Sequence, residues 1–195
     1  MSSMTSNAVI PRMKSEDRRA LIITAATAVF GQNGYVGTTT DQVAKAAGVS
    51  QPYVVRMFGT KQALFLEVLE HALATLLETF RSELAQPSTD PMPARLGTAY
   101  AAMSVDRTGL LLCLMHAFVL GGDPKIGPVA RRGFLEVNDF LLDEAGFTQD
   151  EATQFLAYGM LMNTLVGIRM KNEPGSNLRA KDLMFCAFPD TTENA

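Results

Sequence analysis

The 195-residue chain has no tryptophan, two cysteines and two histidines. Two thiols cannot staple a chain of this length, so the fold must rest on a hydrophobic core, and a reducing compartment is the expected setting. His71 and His116 stand 45 positions apart, and no H-E-x-x-H, C-x-x-C, G-x-S-x-G or Walker-type loop occurs. Gly31, Gly34 and Gly37 fall out of register for a G-x-G-x-x-G phosphate loop. The longest apolar run, Leu110 to Leu120, is broken by His116 and falls well short of the roughly 20 residues that a membrane span requires. Residues 1–19 carry no secretory-type apolar stretch. These absences predict a soluble cytoplasmic protein with no metal, cofactor, membrane partner or catalytic residues.

What is present is apolar and unevenly charged. Hydrophobic residues make up 47% and charged residues 19%, and mean hydropathy is +0.09, enough for a packed core. Residues 1–61 hold seven basic and three acidic side chains, whereas residues 62–195 hold ten and seventeen. A basic N-terminal quarter on an acidic body suits one part to a polyanion and another to something else.

The hydrophobic spacing predicts an all-α chain of about nine helices. Residues 1–14 read as a flexible arm, 15–61 as a three-helix unit and 62–195 as a helical body. Ser15 can cap the first helix, which stops near Asn33-Gly34. Thr39 and Gln42 have capping-box spacing, Gly48 ends the short helix they open, and Ser50 with Pro52 can open the next, which runs to about Phe58. Thr60 caps a helix from Lys61 to about Leu84, and a proline-rich loop over 86–93 ends it. Further helices are expected near 94–105, 108–120, 125–145, 148–171 and 177–187.

The two short helices joined by Ala47-Gly48-Val49-Ser50, within about 39–58, have the shape of a helix-turn-helix, whose second helix enters the DNA major groove. That helix exposes Gln51, Tyr53 and Arg56, residue types that reach bases and phosphates; Val54 and Phe58 belong to its core, and Lys45 to a solvated face. The run GYxGTTTxxVAxAAGVS, followed by Phe58, Gly59-Thr60-Lys61 and Leu64-Phe65, resembles the N-terminal domain of the TetR family of bacterial transcriptional repressors over residues 17–69. The resemblance implies a homodimer on a palindromic double-stranded DNA operator, released by a small ligand in the body. It also implies DNA contacts from Thr40, Ser50, Gln51, Pro52, Tyr53, Arg56 and Lys61. The chain departs from the family's usual Tyr-x-Tyr-Phe or Tyr-x-His-Phe helix end, reading Val55-Arg56-Met57-Phe58. A tyrosine contact to phosphate is lost at Val55, and Arg56 would replace it or read a guanine.

In the body, helix 108–120 is apolar nearly all round, which predicts a central position. The soft and aromatic residues Met103, Cys113, Phe118, Phe134, Tyr158 and Met162, with Tyr100, His116 and Asn138 as polar contacts, are the expected lining of a ligand pocket; Met115, Phe147 and Asn163 extend this set. The absence of paired basic residues there predicts an uncharged or weakly charged, mostly apolar effector. Gly159, Asn163 and Gly167 recur every fourth residue as a small stripe, a candidate dimer interface, with packing inside the chain as the alternative. Two other classes stay open: a helical DNA-binding protein whose body only dimerises, and a cytoplasmic enzyme of unknown reaction.

Overall fold

The computed structural model describes residues 15–170 and 177–187, apart from the side chain of Phe185. The expected arm over 1–14 therefore lies outside the described residues. Nine α-helices and no strands occur among those described: α1 (Ser15–Gly37), α2 (Thr40–Ala46), α3 (Gln51–Phe58), α4 (Lys61–Ala85), α5 (Met92–Asp106), α6 (Thr108–Val119), α7 (Ile126–Asp139), α8 (Gln149–Gly167) and α9 (Leu178–Ala187). No single helix among them is long and apolar enough to cross a membrane.

Local chemistry places most boundaries. Thr39 and Gln42 form the capping box, with Gln42 N–H donating to Thr39 Oγ1 at 3.2 Å and Thr39 N–H donating to Gln42 Oε1 at 2.8 Å. Gly48 takes φ +64 at the end of α2, and Thr60 Oγ1 accepts from Ala63 N–H at 3.0 Å to start α4. Two N-caps and one helix end differ from expectation. Ser15 is the first residue of α1 rather than its cap. Ser50 makes no side-chain cap bond; Pro52, which has no N–H, already removes one orphan donor there. Helical structure resumes beyond Gly34, whose φ of +70 breaks α1. In line with the helix expected over 125–145, α7 runs on through a π-helical turn, Phe140–Glu144. The pairs Asp143-Glu144 and Asp150-Glu151 border that last connection; Glu144 accepts a two-pronged contact from Arg81 at 2.6 and 2.8 Å, and Glu151 closes a capping box with Thr148.

Two hydrophobic cores share one long helix. Ile22, Ala26, Phe30, Val43, Val54, Phe58 and the first turns of α4 (Leu64, Phe65, Val68, Leu69) form the first. The later turns of α4 (Ala72, Leu76, Leu77, Phe80) join α5, α8 and part of α6 in the second. α6 is not simply central to the body: Cys113 and Ala117 belong to the first core, because α6 packs along α1. The approach is backbone to backbone, since a Cβ on Gly31 would lie 2.6 Å from Gly109 Cα and O.

Candidate nucleic-acid interface

α2 and α3 are held at a fixed angle by the turn Ala47–Ser50, in which Gly48 N–H reaches Lys45 O at 3.2 Å and Val49 N–H reaches Ala44 O at 3.0 Å. Val54 and Phe58 bury one side of α3 against α1 and α4. At 100° per residue the opposite side is that of Pro52 and Arg56, both exposed, with Val55 and Ser50 also exposed and Tyr53 half-buried. Gln51 spans the two helices, its Nε2 donating to Thr40 Oγ1 at 3.2 Å. Thr40, Ser50, Gln51, Pro52, Tyr53 and Arg56 thus sit on one short stretch of the molecule. Lys45 is exposed and pairs with Asp41 at 2.9 Å.

Lys61 stands apart in what its ammonium does. Nζ donates to the backbone carbonyls of Tyr35 and Thr38, each at 3.0 Å, and lies 4.6 Å from the Tyr35 ring centroid. Two of its three donors therefore tie the start of α4 to the end of α1. Tyr35 in turn packs on Phe65 at 5.0 Å, and burial followed by the nearby Asp123 carboxylate raises its phenol pKa.

Sequence reasoning missed the residues that brace this unit. Arg19 pairs with Glu67 and lies 4.7 Å over the Phe58 ring, joining α1, α3 and α4. Asp123, in the α6–α7 connection, accepts backbone N–H bonds from Ile126 and Lys125, which hold its carboxyl below the usual range, and also accepts Gln62 Nε2 at 3.2 Å. No local motif marks such pairs, since Gln62 and Asp123 are 61 positions apart.

The body holds a cavity of about 80 Å³ between α4, α6, α7 and α8. On a scale of ~10–15 Å³ per water-sized body that is room for roughly six. Its walls include Leu73, Phe80, Leu114, Phe118, Phe134 and Val137, with Phe118 and Phe134 meeting edge to face at 5.8 Å. Of the residues expected there, Tyr100, Phe118, Phe134 and Asn163 line it. Met103 and Met162 are buried in the body core instead. Cys113 lies at the α1–α6 contact, with Sγ 3.4 Å from Thr27 O, and His116 packs on Gly34. Asn138 is half-buried on α7 away from the cavity. Tyr158 is largely exposed, its hydroxyl donating to the Cys186 carbonyl. Phe147 belongs to the body core, and Met115 to a groove beside α1.

The small stripe on α8 turns inward at Gly159 and Asn163, while Gly167 is exposed. Asn163 Oδ1 accepts from Tyr100 O–H at 2.8 Å, a Cβ on Gly159 would stand 3.6 Å from the Tyr100 ring, and one on Gly167 would stand 3.3 Å from Met115 Cε. Gly159, Asn163 and Gly167 therefore admit α5 and α6 of their own chain. Glu70 and Arg132 stand at the cavity rim, 3.5 Å apart, and Arg132 also lies 3.4 Å from Glu136.

Residues 22–68 match the family model for bacterial regulatory proteins of the tetR family. Over those residues the helix-turn-helix unit is similar to the N-terminal domain of that family. The transcriptional activator FasR of Mycolicibacterium smegmatis is 34% identical over 73 residues, 37% of this chain and 33% of that protein. The chain spans about a third of the length of the curated relatives it matches. Over the whole fold, a TetR-like regulator from Rhodococcus sp. RHA1 superposes with a TM-score of 0.65 at 17% identity, covering 90% of this chain and 96% of that one. The fatty acid degradation regulator FadR from Bacillus halodurans gives 0.62 at 19%, covering 90% and 97%. At that identity the likeness is one of fold.

Proposed function

We propose that the protein is a TetR-type transcriptional regulator, a repressor that binds a palindromic operator as a homodimer and is released by a small, mostly apolar effector. The observation that carries the reading is α3: one side is sealed by Val54 and Phe58 while Pro52 and Arg56 stand bare on the other, as groove entry demands. A two-fold site needs a two-fold protein. The exposed apolar side chains Tyr158 and Leu161 of α8, with Leu178 and Leu183 of α9, supply the surface for a second copy. The cavity supplies the effector site. Its one inward hydrogen-bonding pair is Tyr100–Asn163, and Arg132 at the rim already faces two carboxylates, so an uncharged ligand is favoured over an anion.

Footprinting on the DNA flanking the protein's own gene tests the regulator. A protected palindrome with half-sites about one helical turn apart, or a multiple, is expected; no protection at any salt concentration refutes the reading. Leu161→Arg combined with Leu183→Arg should give monomers in sedimentation and weaken operator binding. A panel of neutral apolar compounds should raise the melting temperature of wild type but not of Ala130→Phe, which fills the cavity. A body that only dimerises predicts no shift with any compound.

A further inference from the structure

Arg18 lies on the exposed N-terminal part of α1, and its guanidinium carbon is 5.8 Å from the centroid of the Tyr53 ring on α3. Arg56, on α3 itself, lies 4.9 Å from the same centroid. Among the described residues neither guanidinium has an ion pair or a hydrogen bond. The neighbouring Arg19 shows the contrast, because its charge is spent on Glu67. Glu16 points about 160° around α1 from Arg18, and Asp17 about 100°, so neither shares its face.

A guanidinium within about 6 Å of a ring centroid is attracted by the ring face without using up its N–H donors. Arg18 and Arg56, both within 6 Å of one phenol ring and without a carboxylate partner among the described residues, place unspent donors beside the exposed side of α3. Planar forks of this kind match the oxygens of a phosphodiester. From this geometry we infer that Arg18 and Arg56, held on Tyr53, form a two-pronged clamp for backbone phosphates of duplex DNA, with Tyr53 as the positioning residue. The inference rests on the DNA-binding reading of α3, and it makes Arg18 a DNA contact from outside the helix-turn-helix. It also assigns Arg56 to phosphate rather than to guanine. A clamp built on two helices fixes the depth at which α3 enters the groove, because α1 is bound to the core through Ile22 and Ala26.

The full chain is titrated by fluorescence anisotropy against a mixed-sequence duplex and a protected operator fragment, from about 50 to about 200 mM salt. Arg18→Ala should weaken binding to both duplexes alike and lower the slope of log K against log salt by about 0.9 per clamp engaged. That difference narrows the wild-type advantage about 3.5-fold across the salt range. Arg56→Ala should do the same. Tyr53→Leu should weaken binding with the slope retained, and its effect should vanish in the Arg18→Ala Arg56→Ala background. An unchanged slope in Arg18→Ala, or a loss in Arg56→Ala confined to one DNA sequence, overturns the clamp while the regulator reading stands. A wild-type protein that binds neither duplex overturns both.

Discussion

The α1–α6 crossing gives a sharp quantitative test through two glycines that respond in opposite directions to the same substitution. Alanine in place of glycine inside a helix stabilises by about 1 kcal/mol. At Gly97 on α5 a Cβ would meet nothing within 4 Å, so Gly97→Ala should show that gain undiminished. At Gly31 a Cβ would sit 2.6 Å from both Cα and O of Gly109, backbone atoms that cannot swing aside. Reaching an ordinary contact of about 3.5 Å demands a separation of the two helices by about 1 Å, and a gap of that size forfeits a quarter to a half of each dispersion contact along the seam. Overpacking of this kind costs about 3 kcal/mol at the upper end of its usual range. The net loss for Gly31→Ala is then about 2 kcal/mol, a fall in Tm of about 4–8 °C for a chain of this size. Differential scanning calorimetry of the two variants beside wild type should place them about 3 kcal/mol apart. A Gly31→Ala protein as stable as wild type, with Gly97→Ala behaving as expected, would refute backbone contact between α1 and α6.

Tyr100→Phe should cost about 1–3 kcal/mol in urea unfolding, because it leaves Asn163 Oδ1 without its partner in the cavity wall. Burial pushes the Cys113 thiol up to about 12, while Cys186 is exposed, so mass spectrometry after iodoacetamide at pH 8 should find one modified cysteine, at position 186. The carboxyls of Glu151, Asp123 and Glu144 are all lowered in the folded protein, the first by Thr148 N–H and O–H, the second by backbone N–H groups and the third by Arg81. Their stabilisation is complete above the ordinary carboxylate range and is lost as pH falls through the depressed folded values. Denaturation midpoints should therefore drop between pH 5 and pH 3, and less steeply in Glu151→Gln, which keeps a capping acceptor without a titrating proton.

How far the sequence discloses the molecule depends on the range of the interaction. The helix-turn-helix is legible because its signals are local: Thr39 and Gln42 are three residues apart, Gly48 needs a left-handed backbone, and Pro52 lies in the first turn of its helix. The body is legible as helices but not as neighbours. α6 is apolar on every side, so its pattern carries no direction, and Cys113 reads equally well as pocket lining or as a partner for α1. The stripe Gly159, Asn163, Gly167 signals close approach by something without saying what; the structure answers with Tyr100 and Met115 of the same chain.

The same limit explains why the division at residue 61 is clean in the sequence and not in the packing. A change from basic to acidic composition marks where surface chemistry changes, but a core is indifferent to surface charge. Leu64, Phe65 and Val68 complete the core under α3, whereas Leu76 and Phe80 of the same helix line the cavity. Helix α4 is continuous from Lys61 to Ala85, so one helix carries both the side chains that line the cavity and those that seat α3. Gln62 and Lys61 add to this at its first turn, one bonded to Asp123 ahead of α7 and the other to the backbone at the end of α1. On the proposed effector reading, expansion of the cavity against α4 would either strain these bonds or carry α3 with it. That choice is what an effector with unequal affinity for two positions of α3 would exploit, since equal affinity shifts nothing.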